Sequence, residues 1–132
     1  MQKHISDAER VPLRIVIVTL DNHLASTVAR AHRELLRDIP GLEISLHATS
    51  TWENDPEGRE RCVEDIASAN IIIATMLFME DHIRSVLPAI EARREACDAV
   101  ISFMSAGEVI RQSHLGQLDF GKEATGIMGL IK

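Results

Sequence analysis

The feature that most constrains the fold of this chain is a pair of short, almost uninterrupted apolar segments. Leu13–Leu20 reads LRIVIVTL and Asn70–Thr75 reads NIIIAT, and both are rich in β-branched residues. A strand that is apolar on both sides must be covered on both faces, which is typical of central strands in a parallel sheet. The chain is therefore predicted to fold as a sheet flanked by helices.

Two further segments complete the expected sheet. Leu42–Ala48 alternates apolar and polar residues, which indicates a strand with one wet face or an edge strand. Ala99–Met104 is predicted as the fourth strand. Right-handed crossovers between these strands favour a flavodoxin-like, doubly wound α/β fold with a parallel sheet in the order 2-1-3-4, which puts Leu42–Ala48 at an edge.

Helical patterns separate the strands. An apolar stripe with spacings of three and four residues predicts a first helix that stops at Pro40-Gly41. Asp55 is expected to cap the second helix, with Pro56 at its first position. The residues of that helix that we expect to face inward are Cys62, Val63, Ile66 and Ala67.

The third and fourth helices follow the third and fourth predicted strands. Pro88 lies inside the third helix, so we expect a kink or a restart there. Ser105 and Glu108 have the spacing of a capping box and are predicted to open the fourth helix. The predicted apolar stripe of the third helix comprises Met79, Ile83, Val86, Leu87 and Ile90.

Composition and charge exclude several classes of protein. With 132 residues, 45% of them hydrophobic, the chain has the size and composition of one globular domain. Its net charge is −6 and no basic stripe occurs, which argues against a nucleic-acid partner. Cys62 and Cys97 lie far apart and are interpreted as reduced, partly buried thiols. No signal peptide or transmembrane segment is predicted, so we expect a cytoplasmic protein.

Candidate binding residues lie where strands of the predicted sheet end. Ligands of open α/β sheets bind at the carboxyl ends of the strands, near the point where strand order reverses. Strands 1 and 3 are neighbours in the order 2-1-3-4, so the turns that follow them should face one crevice. The candidates for contact with a ligand or a partner are Asp21, Asn22, His23, Thr75, Met76, Ser105 and Glu108.

Each candidate also has a structural explanation. Asp21 or Asn22 can serve only to cap a helix, and His23 can be a half-exposed residue of the first turn. Ser105 and Glu108 can form only a capping box. Glu80 and Asp81 suit the start of a helix, and His82 is interpreted as a surface imidazole.

Motifs of several catalytic classes are missing from the sequence. There is no P-loop, no Gly-x-Gly-x-x-Gly turn and no Gly-x-Ser-x-Gly elbow. No His-x-x-x-His pair is present to suggest zinc. We therefore predict no catalytic residue and no metal site in this chain.

Several stretches resemble one known family. RIVIVTLDNHLASTVARA, PGLEISLHA, ANIIIATMLFMEDHIRSVLPAIEARREACDAVISFMSAGEVIR and LGQLDF are similar to the amino-terminal region of the large porphyrin-binding subunit of magnesium chelatase, especially the bacteriochlorophyll-synthesis form. The cobaltochelatase large subunit is related more distantly. The polar composition of residues 1–12 predicts a tail. The resemblance implies a flavodoxin-like domain of a longer subunit over residues 13–132. Because ATGIMGLIK looks like the start of another helix, we interpret the chain as carboxyl-terminally incomplete.

The resemblance implies a role in (bacterio)chlorophyll biosynthesis. The complete subunit of that family handles protoporphyrin IX during the ATP-dependent insertion of Mg²⁺. An AAA+ ATPase subunit and a middle subunit are the other partners, and the ATPase uses the ATP. We therefore expect protoporphyrin IX and Mg²⁺ to be substrates of the full complex. The chain by itself is expected to hold no cofactor and to be inactive, with the remainder of the large subunit as its first partner.

Two alternatives remain open. Asp21-x-His23-x-x-Ser26, Thr75-x-Leu77 and Ala106-Gly107 partly resemble the motifs of cobalamin-binding domains, although Ser26, Thr75 and Ala106 would narrow the slot for the nucleotide tail. The other alternative is a protein-docking module, because the chain has only four aromatic residues for a porphyrin pocket. They are Trp52, Phe78, Phe103 and Phe120, and Phe103 is expected in the core.

Overall fold

In a computed structural model that describes residues 12–116 and 118–119, β1 (Arg14–Thr19) is an inner strand of the sheet. It pairs in parallel with β2 (Glu43–Ala48) on one side and with β3 (Ile71–Thr75) on the other. β4 (Ala99–Phe103) pairs in parallel with β3. The predicted order 2-1-3-4 and the edge position of the second strand are both confirmed.

Two very short strands extend the sheet beyond β4. β5 (His114–Leu115) runs antiparallel to β4, and β6 (Leu118–Asp119) runs antiparallel to β5, which gives the order β2-β1-β3-β4-β5-β6. The expectation of a purely parallel sheet was therefore incomplete. Strands of two residues are too short to show the alternation by which strands are found in a sequence.

Four helices connect or follow the parallel strands. They are α1 (Ala25–Leu35), α2 (Pro56–Ala67), α3 (Glu80–Arg93) and the single turn α4 (Gly107–Ile110). Successive connections change direction along the sheet after β2. Because parallel crossovers are right-handed, α1 lies on one face of the sheet and α2 and α3 lie on the other. We call these the α1 face and the α2–α3 face.

The densest part of the core lies on the α2–α3 face. Val16, Val18 and Ile72 point from the strands into this layer and are fully buried. From the helices the layer receives Cys62, Ile66, Ile83, Val86 and Ile90. Cys62 and Cys97 are free thiols, as the sequence predicts, and both are more deeply buried than expected.

Two residues of the predicted helical stripes face solvent instead. In α2 the buried residues are Gly58, Cys62 and Ile66, four apart, so Ala67 is rotated by about 100° away from the sheet. Met79 is 56% exposed because it precedes α3 in an extended conformation and does not continue the stripe.

The expected restart of the helix at Pro88 is wrong, since α3 runs through this exposed residue without ending.

The start of α2 matches its prediction. The Asp55 side chain accepts a hydrogen bond from the Gly58 N–H at 3.1 Å, and Pro56 occupies the first position of the helix. Gly58 is required there because a Cβ atom would lie 2.8 Å from Asp55 Oδ2 and 3.4 Å from Trp52 Cδ1. This close approach fixes the segment that carries Trp52 against the beginning of α2.

The end of α3 is connected to the last strand by Arg94. Its Nε donates to the Gln112 carbonyl oxygen at 3.0 Å, and its guanidinium forms an ion pair with Asp119 of β6. Both side chains are largely buried, at 13% and 8% exposure. Arg94 therefore holds the antiparallel extension of the sheet in place.

We predict that Arg94→Ala lowers the free energy of unfolding by about 3 kcal/mol, because it breaks a largely buried ion pair. Urea titration measures this change. Arg84→Ala is the matched control, since Arg84 pairs with Glu80 on the surface of α3 and should cost about 0.5 kcal/mol or less. Equal losses in the two variants would contradict a structural role for the Arg94 ion pair.

The alkaline stability of the domain should depend on its buried thiols. Burial, with a smaller contribution from Asp65, raises the pKa of Cys62 from 9.0 to about 12. Burial also raises the pKa of Cys97. The chain has no tyrosine, and its lysines (Lys3, Lys122 and Lys132) lie outside the described residues, so these thiols are the described groups that titrate in this range.

We predict that the free energy of unfolding falls as the pH rises from 9 to 12. In that window the unfolded thiol has lost its proton while the folded Cys62 thiol retains it. The slope approaches about 1.4 kcal/mol per pH unit for one such group. Urea titrations across this range should show a shallower fall in Cys62→Ala, and an identical fall in the parent chain and the variant would contradict the assignment.

Candidate functional site

The carboxyl ends of β1, β3 and β4 meet at one edge of the sheet, and the predicted candidate residues follow these strands. The turns after β3 and β4 are joined directly. The Met76 N–H donates to the Met104 carbonyl oxygen at 2.8 Å, and the Ala106 N–H donates to the Leu77 carbonyl oxygen at 2.9 Å. Thr75 is buried at the end of β3. We call the two connected turns, residues 75–79 and 104–106, the loop pair.

Ser105 connects the loop pair with its side chain. Its Oγ accepts a hydrogen bond from the Leu77 N–H at 3.0 Å and donates to the Phe103 carbonyl oxygen at 3.1 Å. The prediction of a capping box is therefore wrong. α4 begins two residues later, its cap is Ala106, and no side chain caps it. Glu108 instead lines a separate groove of about 440 Å³ with residues such as Arg94 and Arg111.

Both turns of the loop pair contain a methionine in the left-handed region. φ is 60° at Met76 and 47° at Met104. Left-handed backbone costs a residue other than glycine about 1–3 kcal/mol, and it persists where the surrounding contacts determine it. Here the hydrogen bonds between the turns supply those contacts, so the backbone at this edge is held in one arrangement.

The turn after β1 is shaped by its own polar residues. Asp21 Oδ1 accepts a hydrogen bond from the His23 N–H at 3.1 Å and lies 2.7 Å from His23 Nδ1. Asp21 thereby caps the short 3₁₀ turn Asn22–Leu24 that precedes α1. α1 itself has Leu24 at its N-cap and no side-chain cap, so Asp21 caps the turn and not the helix that was predicted. The His23 ring is 85% exposed, at the surface of this turn.

The turn after β1 is hydrogen-bonded to the segment that directly follows β2. The Leu20 carbonyl oxygen accepts hydrogen bonds from the Ser50 N–H at 2.8 Å and from the Thr49 hydroxyl at 3.4 Å. The predicted crevice between the turns after β1 and β3 does exist. However, its lining includes Leu20 and Met79, which are close in the sequence to the predicted candidates. None of the candidates themselves lines it.

This crevice, which we call the carboxyl-edge cleft, has a volume of about 490 Å³. It lies beside the beginnings of α2 and α3, at the point where strand order reverses. Such a position is typical of ligand sites in doubly wound folds, and the volume lies within the range of small-molecule sites. Among its lining residues are Thr49, Trp52, Arg59, Met79, Asp81 and His82.

Apolar and aromatic groups form much of the cleft wall. The Trp52 and His82 rings meet edge to face with their centroids 6.2 Å apart. Trp52 is almost completely buried, whereas Met79 is exposed at the rim. The interpretation of His82 as a surface imidazole is therefore wrong, since the ring packs on Trp52 and its buried Nδ1 has no hydrogen-bond partner among the residues that the structure describes.

Arg59 is the cation of the cleft. It lies on the first turn of α2, opposite Asp81 of α3, and it has no ion pair among the described residues. The neighbouring Arg61 is engaged, because it pairs with Asp55 at 2.8 Å and with Glu57 at 3.9 Å. Arg59 is thus the guanidinium at this edge that remains available to an anionic group.

Sequence reasoning missed Trp52, Arg59, Met79 and His82 as cleft residues. Trp52 carried a usable signal, because it is the one tryptophan of the chain and closely follows a strand. Arg59 carried none, since one arginine in a charged helix looks like any other surface cation. His82 could not be placed, because only the packing of α3 against α2 brings it onto Trp52.

Two negative findings apply to the residues that the structure describes. Within them, no three His, Cys, Asp or Glu side chains are grouped so that they could hold a metal ion. Over the same residues, no helix has both the length and the apolar character needed to cross a bilayer.

Comparison with known proteins identifies relatives. Residues 14–132 match the family described as "Domain of unknown function (DUF3479)". The chain is 42% identical over 118 residues to the H-type subunit of magnesium chelatase from Cereibacter sphaeroides, and 35% identical over 118 residues to the protein of the same name from Rhodobacter capsulatus. It is 32% identical over 122 residues to the chloroplastic ChlH protein of magnesium chelatase from Oryza sativa subsp. indica.

These alignments cover most of this chain but little of the relatives. They include 89% of the chain and 10% of each bacterial protein, and 88% of the chain and 9% of the rice protein. The chain thus spans about a tenth of the length of the curated relatives it matches. The resemblance to the magnesium-chelatase large subunit that the sequence predicts is confirmed.

Proposed function

Because this chain belongs to the DUF3479 family and is homologous to the H-type subunit of magnesium chelatase, we propose that it is a non-catalytic domain of such a subunit. In this role it supports the ATP-dependent insertion of Mg²⁺ into protoporphyrin IX during (bacterio)chlorophyll synthesis, in the cytoplasm. Protoporphyrin IX and Mg²⁺ are substrates of the complete complex, and an AAA+ ATPase subunit uses the ATP with a middle subunit as its partner.

The carboxyl-edge cleft is the observation that carries the porphyrin part of this proposal. Protoporphyrin is a flat, apolar ring with two carboxylate side chains. A site for it needs apolar surface for the ring and a cation for a carboxylate. Met79 and the Trp52–His82 pair supply the apolar surface, and Arg59, which has no ion pair among the described residues, supplies the cation.

The cleft is suited to hold one side of the ring and not to enclose it. Its volume of about 490 Å³ is open to solvent, and the exposed side chains of Phe78 and Met104 lie on the loop pair at the same edge of the sheet. We propose that this domain contacts the porphyrin from one side while the remainder of the subunit completes the site. The isolated chain accordingly neither hydrolyses ATP nor inserts Mg²⁺.

We predict that Arg59→Ala in the full-length subunit weakens protoporphyrin binding by about tenfold, the usual cost of losing one charge-assisted hydrogen bond. Porphyrin fluorescence titration measures the affinity, and the chelatase assay with all subunits measures turnover. Arg30→Ala is the matched control, because Arg30 is an exposed arginine of α1 without an ion pair among the described residues. If Arg59→Ala and Arg30→Ala bind porphyrin equally, the cleft is not the contact.

His23→Ala tests the first turn separately. The ring is exposed, so the loss of unfolding free energy should be about 1 kcal/mol or less. We predict weaker assembly or porphyrin handling with the fold intact, measured as chelatase turnover together with the thermal midpoint. Unchanged turnover with an unchanged midpoint would mean that His23 is only a residue at the start of a helix.

Saturable binding of cobalamin in place of protoporphyrin would favour the cobalamin-type alternative.

A further inference from the structure

α1 covers only the half of the α1 face that contains β2. α1 connects β1 to β2 and packs over β2. No other described helix lies on this face, because α2 and α3 occupy the opposite one. The half of the α1 face formed by β3, β4 and β5 is therefore uncovered by the described part of the chain.

The register of the strands identifies the side chains on this uncovered half. Ile101 and Phe103 alternate with the buried Val100 and Ser102 along β4, so they point to the α1 face. Leu115 of β5 pairs with Ala99 and points the same way. Ile101, Phe103 and Leu115 are 39%, 46% and 53% exposed, and we call the surface that they form the open face. The expectation that Phe103 lies in the core is therefore wrong.

α1 is itself incompletely packed. It has a strongly amphipathic sequence, yet none of its residues is buried. Leu24 directly before α1, Leu35 at its end and the following Leu36 remain exposed. An amphipathic helix gains its stability mainly by burying its apolar side, so an uncovered stripe indicates that a further body packs against it.

We propose that the open face and the exposed Leu24, Leu35 and Leu36 form the interface with the remainder of the same polypeptide, in a subunit of the length of its relatives. This inference rests on the proposed function. A tethered neighbour meets the face at a high effective concentration without any bimolecular association. The relatives are about ten times as long as the matched segment, so such a neighbour is part of their chains.

The size and charge of the surface favour this occupant. Three strands span about 14 Å at the spacing of strands in a sheet. A single helix is only about 10 Å wide, so it cannot cover both the open face and the exposed Leu24, Leu35 and Leu36. The outward side chains of β3, β4 and β5 on this face are uncharged, which suits an apolar partner surface. A second copy is disfavoured because each copy carries a net charge of −6.

Thiol labelling tests the proposal at a single position. Ile101→Cys places a reactive thiol in the middle of the open face, while the native Cys62 and Cys97 are buried and carry raised pKa values. The label is quantified on the Ile101 peptide by mass spectrometry, both in the 132-residue chain and in the full-length subunit. Leu115→Cys is a second reporter on the same face. Ala67→Cys is the matched control, an exposed position of α2 on the opposite side.

We expect Ile101→Cys to be labelled at least about tenfold more slowly in the full-length subunit than in the isolated chain, with Ala67→Cys unchanged. Equal rates at Ile101 would overturn the proposal, even if Arg59→Ala still weakens porphyrin binding. Slow labelling of Ile101→Cys already in the isolated chain would mean that residues of that chain cover the open face. Protection of Ile101→Cys that rises with the concentration of the chain would mean that a second copy covers the open face. Protection that appears only when protoporphyrin is added would mean that the ligand covers it. Each of these three results would also overturn the proposal.

Discussion

The parallel pairing of β1 with β2 on one side and β3 on the other is the constraint on which the rest of the structure depends. Ile15 and Ile17 are in register with Ile44 and Leu46 of β2, and also with Ile71 and Ile73 of β3. The connection from β1 to β2 runs one way along the sheet, and the connections from β2 to β3 and from β3 to β4 run the other way, so their right-handedness sends α1 to one face and α2 and α3 to the other. The same reversal opens a crevice at the carboxyl end of β1, which becomes the carboxyl-edge cleft. Both proposed surfaces of the domain therefore originate from one topological feature.

The two surfaces differ in how firmly the chain holds them. The loop pair, which contributes Met79 to the cleft, is fixed by hydrogen bonds between its two turns, with Ser105 as the connecting side chain and with Met76 and Met104 in the left-handed region. A preorganised edge of this kind suits a rigid ligand, because little freedom is lost on binding. The open face, in contrast, is apolar surface that the described part of the chain leaves uncovered. Parallel sheets are normally buried on both faces, so this half-covered sheet is suited to a neighbouring body of the same protein.

The strength of each local pattern decides how much of this structure the sequence can predict. Four parallel strands, their order and the Asp55 cap were predictable, because burial on two faces and capping chemistry leave direct signals in the sequence. β5 and β6 were not, since two residues have no period. Ser105 was assigned to a capping box because its spacing from Glu108 fits, but a long-range bond to the Leu77 N–H determines its role. The cleft was predicted in the right place with the wrong lining, since Trp52 and His82 meet only through helix packing.

The fluorescence of Trp52 tests the central claim, that the carboxyl-edge cleft receives one side of the porphyrin, most directly. Trp52 is the single tryptophan of the chain and lies in the wall of the cleft, so a ring bound there quenches its emission by energy transfer. Titration of the 132-residue chain with protoporphyrin should give saturable quenching together with a shift of the porphyrin absorption band, and Arg59→Ala should weaken both. An unchanged Trp52 emission, with no change in the porphyrin spectrum, would contradict the account and leave the domain as a docking module alone.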